Sequence, residues 1–176
     1  KFLVVFTTTP WTIPGNTGIM VNPDIEYVEA ELSNGEIWII AKEKVSGLMS
    51  AIETGYNIKK TVKGKELEGL KYENPLSKNL KLKIKNGYKV ILSSRYVNLE
   101  EGTGLVHIAT GAGAEDFKLG QKLNLPVIEV IDEEANYLDG MDKFSGQNAK
   151  KHPELIIDFL KNNEKSTLEY LEFFFN

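Results

Sequence analysis

The chain contains several short stretches in which hydrophobic residues alternate with polar ones or run together, a pattern typical of β-strands. The stretches 26–32 and 36–41 flank residues 33–35, Ser-Asn-Gly, and this arrangement predicts a β-hairpin. A second hairpin is predicted around Asn86-Gly87. The remaining predicted strands are residues 2–8, 19–21, 57–63, 70–72, 80–84, 89–92, 105–109, 127–131 and 167–174.

Hydrophobic residues recur at helical spacing in three stretches, residues 42–53, 113–123 and 153–161. Gly55 is the expected C-cap of the first helix, and Pro153 suits the first turn of the third. Because strands and helices do not alternate as they do in βαβ units, the sequence predicts an α+β fold. The expected architecture is an antiparallel β-barrel-like core with peripheral helices.

The composition is that of an ordinary globular protein, with 41% hydrophobic and 26% charged residues. A chain of 176 residues can bury a core of its own, and we expect residues 1–176 to form a single domain. The sequence has no cysteine and only two histidines, so it predicts no disulfide and no metal site. We also expect no cofactor.

The net charge of −4 argues against broad nucleic-acid binding, which depends on neutralising phosphates, but it leaves open a narrow contact with a nucleic-acid end. Lysines cluster between Lys59 and Lys89, and a solvated surface is the favoured explanation for them. No apolar run approaches the ~20 residues that span a bilayer, so no membrane association is expected. The apolar ends, residues 1–6 and 171–175, predict a piece of a larger cytoplasmic protein.

Residues 102–117 combine a glycine turn, a short apolar run that carries His107, and a loop of small residues. Glu115 and Asp116 follow, where the second helix is predicted to begin, and Asp116 lies nine residues after His107. A helix start offers free N–H groups and a positive dipole end, so a carboxylate there stays ionised and can hold a cation. The alternative is that these acids only stabilise the helix, by about 0.3–1 kcal/mol.

Residues 7–16 place three consecutive threonines, Thr7, Thr8 and Thr9, before a turn that contains two prolines. Neighbouring residues of a strand point to opposite faces, so the hydroxyls are available on both sides. Such hydroxyls can bind a ribose, a carbonyl or a water without any titrating group. The alternative is a threonine-rich strand that ends in an ordinary proline turn.

The stretch 7–16, Thr-Thr-Thr-Pro-Trp-Thr-Ile-Pro-Gly-Asn, resembles the editing domain inserted into class I isoleucyl-tRNA synthetases. The valyl and leucyl relatives usually carry an arginine within the threonine run, so the resemblance is to the isoleucyl branch. Residues 62–75, 102–117 and 130–144 are similar to three further stretches of that branch. The four matches occur in order and cover the chain nearly end to end.

One loop departs from the family pattern. The family usually has Ala-Pro-x-His-Gly after the histidine, whereas residues 109–113 read Ala-Thr-Gly-Ala-Gly. The proline and the second histidine are therefore missing, although His107 and Asp116 keep the expected separation. Because proline restricts the backbone, its absence raises the question of how rigid this loop is.

The resemblance implies a post-transfer editing domain that hydrolyses the ester of mischarged valyl-tRNA(Ile), and valyl-adenylate as a further substrate. One methylene in a hydrophobic pocket is worth only about 1–3 kcal/mol, and isoleucyl-tRNA synthetases are the established example of this limit. A second pocket that accepts the smaller aminoacyl group overcomes it. The implied partners are the aminoacylated 3′ end of tRNA(Ile) and the rest of the parent synthetase.

The resemblance also implies the residues that carry out the reaction. Asp116 would hold the α-ammonium group of the substrate in a charge-assisted pair. Thr7, Thr8 and Thr9 would hold the ribose and the ester, with Thr9 nearest the reaction, and Asn16 would add a further polar contact.

The role of His107 stays open between two possibilities. The imidazole orients the attacking water, or it forms the wall that excludes the extra methylene of isoleucine, and positioning with size exclusion is favoured over general base catalysis. No serine–histidine–acid set is evident, so no covalent intermediate is expected. Two other functions remain, a non-catalytic module that binds the tRNA 3′ end and, more weakly, a free-standing nucleoside-binding barrel.

Overall fold

The structure is a computed structural model that describes residues 1–77, 80 and 84–163. The predicted strand 167–174 and most of 80–84 lie outside the described residues. The chain forms two compact units. The first unit comprises Lys1–Thr7, Ile19–Tyr72 and Lys89–His107, and the second comprises Thr8–Gly18, Glu73–Tyr88 and the chain from Ile108 onward. The expectation of one domain over residues 1–176 stays a prediction.

The first unit contains a sheet in the order β1 (Phe2–Leu3), β4 (Ile37–Ala41), β3 (Glu26–Leu32) and β5 (Tyr56–Lys63). The hairpin of β3 and β4 is antiparallel, as predicted, and Gly35 supplies the positive φ of 85° that its turn needs. β5 is antiparallel to β3, whereas β1 pairs parallel with β4.

Helix α1 (Lys42–Ala51) follows β4 directly and buries Val45, Leu48 and Met49, the residues whose spacing predicted the helix. It ends two residues earlier than the predicted 42–53. Glu53 adopts the left-handed conformation with φ of 48°, so the chain leaves the helix there and not at Gly55.

A second sheet has the order β6 (Lys89–Leu92), β2 (Gly18–Val21) and β7 (Leu105–Ile108). The turn before β7 depends on Gly104, which has a φ of 78° and lies so close to Ala41 that a side chain would overlap it. The Tyr27 hydroxyl donates to the Gly104 carbonyl at 2.7 Å, and this bond fixes the start of β7, which carries His107.

Each unit has its own hydrophobic core. The core of the first unit consists of Ile19, Val21, Tyr27, Ile39, Ala41, Val62, Leu67, Val90 and Leu105. The core of the second unit consists of Leu76, Leu80, Ile128, Val130, Tyr137, Met141, Phe144, Ala149, Ile156, Phe159 and Leu160. Trp38 is also buried, as expected, although β4 does not alternate, since Ile39, Ile40 and Ala41 are buried as well.

The second unit contains α2 (Ala114–Lys122), α3 (Glu154–Asn163) and a short 3₁₀ helix at Pro10–Gly15. This 3₁₀ helix takes the place of the turn with two prolines expected from the sequence, because Pro10 suits the first helical turn. Residues 127–131 form no strand, and Ile131 makes only an isolated bridge.

The predicted barrel-like core needs correction, although the mixed α and β class is right. The described strands form two open sheets and no closed barrel. The predicted first strand, residues 2–8, is ladder-paired only over Phe2–Leu3, and residues 127–131 contribute no ladder, so the continuous pairing that closure requires is missing from the described residues. Among the residues that the structure describes, no helix has the length and apolarity needed to cross a membrane.

Candidate functional site

Asp116 is the third residue of α2, close to the helix start that the sequence predicted. Its Oδ2 accepts the Ala109 N–H at 2.9 Å, so the carboxylate closes the loop between β7 and the helix. The side chain is half-buried, and this burial raises the pKa of Asp116, while the bond from Ala109 opposes the rise. A carboxylate has about four acceptor positions, so this bond leaves capacity for a cationic ligand.

Asn16 is buried, with 6% of its surface exposed, at the end of the 3₁₀ helix. Its side-chain amide donates to the Gly18 carbonyl at 2.9 Å and to the Ile108 carbonyl at 3.3 Å. These bonds give Asn16 a structural role in holding the chain at the end of β7. The predicted contact of Asn16 with a substrate stays a prediction.

The peptide group between Ile108 and Ala109 connects the surroundings of Asn16 with Asp116. Its carbonyl accepts from Asn16 and from the Thr17 N–H at 2.8 Å, and its N–H donates to Asp116. The carbonyl and the N–H of a trans peptide point in opposite directions, so the two sets of partners lie on opposite edges of one rigid plane. The second unit therefore brings Asn16 and Asp116 to one peptide group.

Two buried threonines complete this hydrogen-bonded cluster, and the sequence analysis missed both. The Thr110 hydroxyl donates to the Pro126 carbonyl at 2.7 Å, and the Thr17 hydroxyl lies within 3.4 Å of the Thr110 hydroxyl. The one available signal was the place of Thr110 in the loop, where the family usually has proline. Thr17 carried no sequence signal.

The three consecutive threonines have different surroundings. Thr7 belongs to the first unit and is buried, with 8% exposed. Thr8 is exposed and Thr9 is partly exposed, and both belong to the second unit. The Thr12 hydroxyl donates to the Thr9 carbonyl at 2.8 Å, which fixes Thr9 at the start of the 3₁₀ helix.

His107 lies in β7, in the first unit, and keeps part of its surface accessible. Burial lowers the pKa of His107 from 6.5 to about 4, because the low-dielectric surroundings disfavour the charged imidazolium. The ring is therefore neutral at neutral pH. A general base acts best with a pKa near the working pH, so this environment favours a positioning or size-excluding role.

We expect the stability of the chain to fall on acidification from about pH 6.5 to pH 4, in part because of His107. In that range the unfolded imidazole binds a proton and the folded one does not, so unfolding is favoured. The depressed pKa corresponds to at most about 3 kcal/mol, and to less because the ring is partly accessible. Urea unfolding at several pH values measures the effect.

His107→Gln should flatten this acid-side loss of stability, since the substituted side chain does not titrate. The matched control is His152→Gln at the exposed histidine before α3, which removes a surface contact with Glu154 and should leave the His107-dependent loss in place. Comparison with the wild type removes the contributions of the carboxylates, including Asp116, whose raised pKa acts in the opposite direction. Identical profiles for His107→Gln and the wild type would show that His107 is not the cause.

The chain has a fold similar to those of two solved structures. The crystal structure of GlLeuRS-CP1 matches with a TM-score of 0.71 at 16% identity and covers 93% of this chain and 80% of that one. The editing domain of the P. knowlesi cytosolic leucyl-tRNA synthetase matches with a TM-score of 0.59 at 13% identity, covering 92% and 82%. The fold is therefore that of the CP1 editing domains.

The sequence relatives identify the branch. The isoleucine–tRNA ligase of Saccharolobus solfataricus is 41% identical over 171 residues, which are 96% of this chain and 17% of the ligase. That of Methanocaldococcus jannaschii is 44% identical over 174 residues, covering 92% of this chain and 16% of the ligase. The chain is homologous to one segment of the isoleucine–tRNA ligases, which confirms the resemblance found in the sequence. No protein-family model matches the chain.

Proposed function

We propose that the chain is the editing unit of an isoleucine–tRNA ligase and hydrolyses the ester of mischarged valyl-tRNA(Ile). The observation that carries the proposal is the coincidence of two independent similarities. The sequence is homologous to isoleucine–tRNA ligases over 92–96% of the chain, and the fold is that of editing domains. Valyl-adenylate is a second substrate in this proposal.

Asp116 is the proposed binding group for the α-ammonium of the aminoacyl ester. The support is its half-buried carboxylate, which Ala109 holds by a hydrogen bond at 2.9 Å. An ion pair in a partly desolvated position is stronger than one in water, and the positive end of α2 favours the ionised form needed for binding. The bond from Ala109 also fixes the direction of the carboxylate before a ligand arrives.

The other predicted residues keep the roles that the resemblance implies. Thr7, Thr8 and Thr9 bind the ribose and the ester region, and Asn16 adds a polar contact. His107, neutral at physiological pH, orients a water or excludes the extra methylene of isoleucine. The attack is by an oriented water without a covalent intermediate, so catalysis consists mainly of positioning.

We also propose the partners and the location of this reaction. The aminoacylated 3′ end of tRNA(Ile) is the proposed partner, presented by the rest of a parent synthetase in the cytoplasm. No cofactor is required, because an ester is activated enough to be hydrolysed by a water that is held in position.

Ester loss from valyl-tRNA(Ile) tests the proposal directly. The chain is mixed with radiolabelled valyl-tRNA(Ile), and acid-precipitable label is followed against a reaction without protein. Faster loss of valine than of isoleucine from the same tRNA is the expected result. Binding of the tRNA without any acceleration would instead favour the non-catalytic 3′-end-binding module, a reading to which the missing second histidine of residues 109–113 gives some weight.

A further inference from the structure

We propose that Thr110 is a positioning residue for Asp116, because its hydroxyl fixes the loop from which Ala109 binds the carboxylate. The inference rests on the proposed function of Asp116 and adds Thr110, which is not among the predicted substrate contacts. At this position, where the family pattern that the sequence resembles has proline, a side-chain hydrogen bond holds the loop.

Both branches of the Thr110 side chain have defined contacts within the second unit. The hydroxyl donates to the Pro126 carbonyl at 2.7 Å. The methyl group faces Gly120 of α2 so closely that a side chain at position 120 would overlap it. Only 1% of the Thr110 surface is exposed. A threonine fits this position because it supplies a donor on one branch and a small apolar group on the other.

Two consecutive residues of the loop bind the chain at the two ends of α2. Ala109 binds Asp116 in the first turn of the helix, and Thr110 binds Pro126, which lies beyond its last turn. The Leu125 N–H donates to the Gly120 carbonyl at 2.9 Å and closes the end of the helix. Ala109 and Thr110 share a peptide bond, so a movement of Thr110 reaches the Ile108–Ala109 peptide, which carries the Ala109 N–H, through the backbone dihedrals of Ala109.

The rest of the loop is held by a backbone bond, from the Ala112 N–H to the Ala109 carbonyl at 2.9 Å. Gly111, Ala112 and Gly113 follow Thr110, and glycine has the greatest backbone freedom of all residues. Gly111 lies against the Ile128 carbonyl so closely that a side chain would overlap it, which limits the loop on one side. The bond from the Thr110 hydroxyl to the Pro126 carbonyl is the side-chain bond that ties the residue after Ala109 to the chain beyond the end of α2.

Amide hydrogen exchange of the full chain tests the inference without reference to activity. In Thr110→Val, which removes the hydroxyl and keeps the shape, the protection of the Ala109 amide should fall about tenfold. Thr110→Ser retains the hydroxyl and should preserve the protection. The control is the Phe117 amide, which donates to the Gly113 carbonyl at 2.9 Å in the first turn of α2 and should not change.

The same variants are then compared in hydrolysis of valyl-tRNA(Ile). Thr110→Val should lower kcat/KM about tenfold, Thr110→Ser should rescue it, and Thr110→Val should add no loss in an Asp116→Asn background. Thr110→Ala removes the same hydroxyl without adding bulk near Gly120 and must show the same loss of Ala109 protection. Unchanged Ala109 protection in Thr110→Val and Thr110→Ala overturns the inference, whereas an inactive wild-type chain with the expected exchange pattern overturns only the proposed function.

Discussion

Asp116→Ala is expected to lower the rate of valyl-tRNA(Ile) hydrolysis about a hundredfold. A hydrogen bond to a charged group is worth about 1.5–3 kcal/mol, and loss of the ammonium contact also leaves the ester without a fixed position. The measurement is single-turnover ester loss with the chain in excess over valyl-tRNA(Ile). Circular dichroism and urea unfolding establish that the variant is folded.

Alanine at position 116 also removes the acceptor of the Ala109 N–H, so the charge needs a separate test. Asp116→Asn is the matched variant, since its amide oxygen still accepts from Ala109 while the negative charge is gone. We expect Asp116→Asn to be nearly as inactive as Asp116→Ala. The neighbouring Glu115→Gln changes the charge by the same amount at an exposed position and should stay active. Near-normal hydrolysis by Asp116→Asn would refute the charge-based role.

The chain is also expected to bind a hydrolysis-resistant amide analogue of valyl-adenosine at least about tenfold more tightly than the isoleucyl analogue. A pocket that fits valine must move or strain to admit one more methylene, and overpacking costs about 1–3 kcal/mol. Isothermal titration calorimetry with both analogues gives the ratio. Equal affinities would remove the size-exclusion argument.

The same titration separates the two roles left open for His107. If the imidazole is the excluding wall, His107→Ala opens space, and the isoleucyl analogue binds more tightly while the valyl analogue changes little. If the imidazole orients the water, the ratio of affinities stays constant and only the rate of hydrolysis falls. The low pKa of His107, about 4, makes neither role dependent on a charged ring at neutral pH.

Local signals predicted the elements well where one face is buried. The β3–β4 hairpin follows from alternation and a turn that contains Gly35, and α1 follows from Val45, Leu48 and Met49. Prediction failed where the outcome depends on distant partners. The stretch 127–131 is as apolar as a strand but has no neighbouring strand to pair with among the described residues, so it stays irregular.

In the candidate site, too, local signals were predictable and contacts with distant partners were not. The place of Asp116 in the first turn of α2 was predictable because an acid at a helix start has a local physical reason. The carboxylate's bond to Ala109, and the bond from Thr110 to Pro126, join side chains to backbone groups 7 and 16 residues away. Any residue provides such backbone groups, so no sequence pattern marks them. The structure was needed to find the cluster around the Ile108–Ala109 peptide.

The most direct test of the account is a crystal structure of the chain with the amide analogue of valyl-adenosine bound. We expect the valyl ammonium nitrogen about 2.7–3.2 Å from one Asp116 carboxylate oxygen, while the Ala109 N–H keeps its bond to the other oxygen. An ammonium group held elsewhere, with Asp116 bonded only to Ala109, would contradict the proposed role of Asp116 as the ammonium-binding group.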